Sequence, residues 1–305
     1  MTVLVTGALG FLGTHVVRSL RAAGLEVLAS DLAIHGEPGY VRADVTRHEE
    51  IAPLFARWRI EHVVHLAAEV GRENGELFPG RCIDVNVRGT LLLARLCADH
   101  GARLYFASSS EIYGDRGREE LTEDLGGARL ARPSSVYGLT KLHAEDYLRH
   151  LARHYGLTVA TMRIFTAYGP GERPNPFRSA MTNFIHRLRH GEAVDVHRGT
   201  ERPWCYVDDV AAAVRGLILD WRRDGEEVFN IGRAGLVPTE DLARQLCTAL
   251  DRPDSLIRLV DRGRFVNAVK NGSFAKAEAQ FGFRAQVDLG EGIARTISWH
   301  EATIP

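Results

Sequence analysis

The stretch Val3-Leu4-Val5-Thr6-Gly7-Ala8-Leu9-Gly10-Phe11-Leu12-Gly13 decides the fold. Residues 3–6 are apolar and β-branched, as a buried parallel strand requires. Gly7 opens a tight turn, Gly10 leaves room for a pyrophosphate, and Gly13 lets the following helix pack closely on the sheet. The helix expected over 11–23 aims its unpaired N–H groups, those of Phe11 and Leu12 first, at phosphate. A second strand, 26–30, ends at Asp31. An acid there accepts hydrogen bonds from both ribose hydroxyls and repels a 2′-phosphate, which favours NAD over NADP. The competing use of Asp31 is to cap its own loop.

Working outward, apolar strands at 3–6, 27–29, 62–66, 104–107 and 158–164 alternate with helical stretches at 11–23, 48–58, 85–100 and 135–155. That alternation predicts an α/β protein with a doubly wound parallel sheet. Between 169 and 176 the composition turns to Gly, Pro and Arg, a boundary signal. A helix near 179–190, strands near 193–197, and 238–251 with the tail begin a smaller C-terminal cap. The segments 208–220 and 228–231 return to the large domain. The expected division is a cofactor-binding domain over 1–168, rejoined by 206–232, and a substrate-binding domain over 169–205 and 233–305.

The chemistry is carried by Ser109, Tyr137 and Lys141. Tyr137 and Lys141 stand at i and i+4 after a helix entry at Ser135, so they share a helix face. A phenol, with a reference pKa of about 10, is a poor base near neutrality. An ammonium beside it and the positive nicotinamide favour the phenolate, and Lys141 can also hold the nicotinamide ribose. A surface helix with an incidental Tyr and Lys is the competing reading. Against it stands a strand at 103–107 that ends in Ser108-Ser109-Ser110-Glu111-Ile112-Tyr113-Gly114-Asp115, a polar cluster where open α/β sheets bind ligands. A Ser109 hydroxyl there can share a hydrogen bond with the oxygen that Tyr137 deprotonates.

With these motifs the chain resembles the extended short-chain dehydrogenase/reductases of the NAD-dependent nucleotide-sugar epimerase/dehydratase group, which have a Rossmann domain. The resemblance runs from the glycine turn through Asp44-Val45, His65-Leu66-Ala67-Ala68, Asn86-Val87-Arg88-Gly89-Thr90, Tyr137/Lys141, Arg163-Ile164-Phe165 and Tyr168-Gly169-Pro170. It continues to Arg202, Tyr206-Val207-Asp208-Asp209-Val210, Phe229-Asn230-Ile231-Gly232 and Gly290-Glu291-Gly292-Ile293. It implies NAD as cofactor, with Asp44, Val45, Leu66, Ala67, Ala68 and Asn86 joining the glycine turn and Asp31 around it. It also implies a nucleotide-diphosphate sugar as substrate, with Arg202 and Asn183 on the diphosphate and Ser110 and Thr166 near the sugar. A homodimer through the helices at 85–100 and 135–155 is a further implication.

The shared opening step in this group is oxidation at the sugar C4, Tyr137 taking the hydroxyl proton. A dehydratase then needs a base for the C5 hydrogen, and Glu111 stands where such a base is carried. The Ser-Ser-Glu order resembles that of GDP-mannose 4,6-dehydratases and equally that of UDP-glucuronate decarboxylases. A 4-epimerase needs no such carboxylate, and Glu111 could instead orient Ser109 or cap a turn. The segment 128–135 is plainer than the decarboxylases have before the Tyr, which places the dehydratase first. Three positions depart from the family: Thr166 where Asn is usual, Ser273 where Asp is usual, and a polar, Gly-rich 69–80. An NAD(H)-sensing regulator on the same fold is the alternative outside enzymes; retention of Ser109, Tyr137 and Lys141 argues against it.

Composition agrees. With 45% hydrophobic and 25% charged residues, the chain has the make-up of a globular protein with a sizeable core. A net charge near −1 offers no electrostatic case for nucleic acid or an anionic membrane. Cys82, Cys97, Cys205 and Cys247 lack metal-ligand spacing and read as buried thiols of a reducing compartment. The chain begins on a strand and has no apolar run long enough for a bilayer, so a cytoplasmic location is expected.

Overall fold

A computed structural model describes residues 1–126 and 130–304; the first part of the 128–135 segment lies outside them. In chain order the first elements are β1 (Thr2–Thr6), α1 (Phe11–Ala22), β2 (Glu26–Asp31), β3 (Tyr40–Arg42), α2 (His48–Arg57), β4 (Ile60–His65), α3 (Arg72–Leu77), α4 (Pro79–Ile83), α5 (Thr90–His100), β5 (Arg103–Ser109), α6 (Val136–Tyr155) and β6 (Val159–Ile164). Then come β7 (Ala167–Tyr168), α7 (Ala180–Arg189), β8 (Val194–His197), β9 (Glu201–Arg202), β10 (Cys205–Tyr206), α8 (Val207–Asp220) and β11 (Glu226–Ile231). The chain closes with β12 (Val237–Pro238), α9 (Thr239–Ala249), β13 (Ile257–Val260), α10 (Ala275–Phe281) and α11 (Leu289–Thr303).

Seven strands form one parallel sheet in the order β11-β6-β5-β4-β1-β2-β3. Its strands are apolar on both faces because both are covered. Along β1, Val3 and Val5 face a core shared with Val16 and Leu20 of α1 and Val214 and Leu217 of α8. Leu4 faces the other way, toward Ile51 and Leu54 of α2, Leu93 of α5 and Leu148 of α6. Each such side chain contributes about 1.5–3 kcal/mol on burial, which is why the alternating faces hold the register.

The structure refines the reading at three places. β3 is a three-residue strand, too short to carry a period. The polar 69–80 stretch, after an irregular 69–71, forms α3 and the start of α4. The helix expected over 85–100 begins as α5 only at Thr90, preceded by a wide π-turn over Asp84–Gly89. β11 pairs with β6, from Glu226 opposite Val159 to Ile231 opposite Ile164.

Over the carboxyl ends of the strands lies a third apolar cluster. It joins Met181, Ile185 and Leu188 of α7, Val194 and Val196 of β8, Leu242 and Leu246 of α9, and Ile293 and Ile297 of α11. Asp288 caps α11, its carboxylate accepting the Glu291 N–H at 2.9 Å. Cys82, Cys97, Cys205 and Cys247 are free and buried. Among the described residues no helix is long and apolar enough to cross a membrane.

Candidate active site

A cleft of about 670 Å³ runs between the strand ends and the cluster above them. It is lined by every site residue singled out from the sequence except Asn86.

At its cofactor end the backbone fits a dinucleotide. Gly7 has φ +71°, and a Cβ there would lie 2.6 Å from the Ala67 nitrogen; a Cβ on Gly13 would collide with the Gly7 carbonyl oxygen. These contacts press α1 against the first turn. The N-cap Gly10 offers no side chain to the helix N-terminus and the first turn holds no acid, so the N–H groups of Phe11, Leu12 and Gly13 face the cleft as an anion site. Asp31 accepts the N–H of Leu9 at 2.9 Å and of Leu32 at 2.7 Å. Its carboxylate is thereby aimed, with lone pairs left for a ribose.

Asn86 has a different use from the one expected. The π-turn carries it into the interior, where its Oδ1 accepts the Glu69 N–H at 2.9 Å. Its Nδ2 donates to the Glu69 carbonyl at 2.9 Å and to Thr140 Oγ1 at 3.1 Å. It therefore joins the cleft wall to the helix that carries Tyr137 and Lys141, and does not line the cleft itself.

Ser135 N-caps α6 by accepting the Gly138 N–H at 3.2 Å, and one turn later Tyr137 and Lys141 emerge on the buried face. Lys141 donates to the Ala107 carbonyl at 2.8 Å, and its Nζ stands 6.0 Å from the centre of the Tyr137 ring. Burial lowers Lys141 to about 8. Burial also pushes the Tyr137 phenol up, opposed by the Ser109 hydroxyl and reinforced by Glu111 and Cys82. The protein alone therefore does not make the phenol acidic; the positive nicotinamide has to supply that pull.

The sugar end holds a group that no motif announced. Lys270 donates to Glu111 Oε1 at 2.5 Å and to Ser110 Oγ at 3.1 Å. Asn267 Nδ2 donates to Glu111 Oε2 at 3.1 Å. Burial raises the Glu111 carboxyl, but Lys270 and Arg72 pull it down further, leaving it below the usual range. Lys270 itself is lowered to about 8 by burial, which outweighs its ion pair because Arg202 and Arg72 crowd it. A signal was present in the composition: the chain has three lysines, at 141, 270 and 276, among 38 basic residues. Arginine cannot release its proton in a protein, so a chain that otherwise uses arginine has placed its two buried lysines in this cleft.

Arg202 is 9% exposed, and its Nη1 and Nη2 hold the carbonyls of Glu201, Ala268 and Asn267. Of its five donors two remain for a ligand. It thus anchors the segment that carries Asn267 and Lys270 while still facing the cleft. Asn183 Nδ2 holds the carbonyls of Asn175 and Arg178, which leaves its Oδ1 for a ligand. Thr166 has φ +25°, an outlier for a β-branched residue that costs about 1–3 kcal/mol. The chain bends there from the end of β6 into the cleft, and the Thr166 carbonyl accepts the Cys205 N–H at 3.1 Å.

Residues 3–232, the range that holds the glycine cradle, Asp31 and the Tyr–Lys face, match the NAD dependent epimerase/dehydratase family. The chain is a member of that family. It is 31% identical over 304 residues to UDP-glucuronic acid decarboxylase 6 of Arabidopsis thaliana, covering 96% of this chain and 87% of that protein. It is 29% identical over 328 residues to UDP-glucuronate 4-epimerase of Thermodesulfobacterium geofontis (strain OPF15), covering 99% and 96%. The solved structure of MoeE5 in complex with UDP-glucuronic acid and NAD matches 100% of both chains with a TM-score of 0.88 at 30% identity. As a member of this family the chain is an NAD-dependent nucleotide-sugar enzyme.

Proposed function

We propose that the chain oxidises C4 of a nucleotide-diphosphate uronate, UDP-glucuronate foremost, and that the resulting 4-keto acid loses its carboxylate as CO₂. NAD, which the glycine turn, the N-terminus of α1 and Asp31 would hold, would supply a hydride acceptor for C4 and the hydride returned to it. Tyr137 takes the C4 hydroxyl proton while Ser109 hydrogen-bonds the same oxygen. Lys141 holds the ribose side and adds positive charge beside the phenolate. Residues 1–168 with 206–232 serve the cofactor, and 169–205 with 233–305 serve the sugar nucleotide.

The observation that carries the uronate is the charge at the sugar end. Lys270, Arg72 and Arg202 all pull on Glu111 and line the cleft with it. Such a cluster of cations suits a ligand with both a diphosphate and a carboxylate. Once C4 is a ketone the acid is a β-keto acid: its C5–C6 bond breaks, and the electron pair flows to the C4 oxygen beside Tyr137 and Ser109. Lys270 then places a proton on C5. No base is needed for this step, and Glu111, with an ion pair on one oxygen and an amide on the other, serves to hold Lys270. The relatives named for UDP-glucuronate support the same substrate.

A second reading, dehydration with Glu111 as C5 base, is favoured by one observation: the Lys270 ammonium in contact with it could protonate the leaving hydroxyl. The two are separated by incubating the enzyme with UDP-glucuronate, UDP-glucose, dTDP-glucose and GDP-mannose and weighing the products. Loss of CO₂ from UDP-glucuronate is expected. Loss of water from a neutral sugar would transfer the assignment to the dehydratase, an isomeric product to a 4-epimerase, and no reduction of bound NAD to a sensor. We place the homodimer contact on α5 and α6, where Tyr147 is exposed, with the exposed Leu77 of α3, Phe78 and Ile83 of α4 beside them. Light scattering at a monomer's mass would overturn it.

A further inference from the structure

Beneath the reacting groups lies a buried ion pair that the steps above leave unused. Glu145 follows Lys141 by one helical turn on α6 and is 0% exposed; Arg163 of β6 is 1% exposed. Arg163 Nη2 donates to Glu145 Oε2 at 2.7 Å and its Nε to Oε1 at 3.1 Å. Glu145 Oε1 also accepts the Ser108 hydroxyl at 2.5 Å, one residue before Ser109. Arg163 Nη1 reaches Tyr113 Oη at 3.0 Å, and Tyr113 donates to Asn230 Oδ1 of β11 at 2.7 Å. One carboxylate therefore ties the catalytic helix to the strand end it must face. Apolar replacement of a buried ion pair is often neutral or stabilising, so stability alone does not account for this one.

We propose that Glu145, held by Arg163, is a positioning residue: it sets a carboxylate one helical turn from Lys141, and its bond to Ser108 fixes the strand end that presents Ser109. The proposal rests on the Tyr137–Lys141 reading above. The groups that face Lys141 are the rings of Tyr137 and Phe106, the Ala107 carbonyl, Cys82 of α4 and His65 of β4. Burial lowers His65 to about 3 and raises the Cys82 thiol, so both are neutral at working pH. Glu145 is then the formal negative charge that acts on Lys141. The sign follows directly. Lys141 is functional while protonated and is lost as pH rises through its pKa; removing the Glu145 charge lowers that pKa, so activity falls at lower pH.

The three lysines make the test direct. The NAD-loaded enzyme is labelled at lysine Cε, and the Lys141 signal is assigned with Lys141→Arg and titrated by NMR. In Glu145→Gln, which removes the negative charge alone and whose amide can still meet Ser108, the Lys141 midpoint should fall by about one pH unit. The alkaline limb of bound-NAD reduction by UDP-glucuronate or UDP-glucose should fall with it, while KM stays near the parent's; Glu145→Gln/Arg163→Met removes a cation as well and should move the midpoint less. Ser108→Ala keeps the charge and should leave the midpoint in place while slowing the reduction. An unmoved midpoint in folded Glu145→Gln overturns the proposal. If that variant does not fold, Ser108→Ala, which keeps both charges, carries the test: reduction as fast as the parent's overturns the positioning role. Full reduction by Lys141→Ala would instead sink the Tyr–Lys reading, an outcome the NMR midpoint does not depend on.

Discussion

Tyr137→Phe is expected to keep NAD in the cleft and to slow its reduction by UDP-glucuronate about 10²–10⁴-fold, the range of a positioned general base. The phenyl ring keeps the volume of the phenol, and the Tyr137 backbone, against which a Cβ on Gly75 would lie 2.9 Å from the nitrogen, is untouched. Folding and cofactor content should therefore be unchanged, and the loss should fall on kcat with KM nearly constant. Among the groups around the phenol, Ser109 is a weak substitute because an isolated hydroxyl holds its proton. Lys141 donates to the Ala107 carbonyl, and its Nζ stands 6.0 Å from the centre of the ring. Stopped-flow absorbance of the nicotinamide checks the result. Normal reduction by the variant would mean that another group takes the C4 proton, and the assignment of Tyr137 would fall.

Lys270 is expected to matter after that step and not before it. Lys270→Met alone leaves the Glu111 carboxylate buried without its ammonium, a change that costs about 3–5 kcal/mol where a buried pair is broken. Glu111→Gln/Lys270→Met removes both charges and should restore most of the thermal midpoint. In this double variant the reduction of bound NAD by UDP-glucuronate should survive, because C4 oxidation runs through Tyr137. Release of CO₂ should fall about 100-fold or more, the contribution of a lost general acid. The enzyme would then stall with its nicotinamide reduced. Unimpaired CO₂ release would remove Lys270 from the mechanism. Unimpaired loss of water from a neutral sugar would remove the pair from the dehydratase reading as well.

The nucleotide site was largely legible from the chain because its logic is local. A buried strand, three glycines at fixed offsets and an acid at the end of the next strand lie within residues 3–31, and each acts on the backbone or on a neighbour in sequence. The Tyr137–Lys141 spacing is likewise a property of one helix. β3 and the π-turn before α5 were harder: three residues hold no period, and the turn differs from a helix by one hydrogen-bond register. The turn nonetheless decides that Asn86 meets Glu69 and Thr140 and not the cleft.

The sequence by itself determined the α/β class, the cofactor cradle and the proton-transfer face, because periodicity, chirality and backbone sterics act over a few residues at a time. The tertiary structure alone decided what Glu111 is. Its partner Lys270 lies 159 residues away in a segment with no motif, brought there by the carbonyls that Arg202 holds. Whether a carboxylate is a free base or half of an ion pair depends on which charge shares its low-dielectric surroundings. Chain spacing does not encode that; folding does.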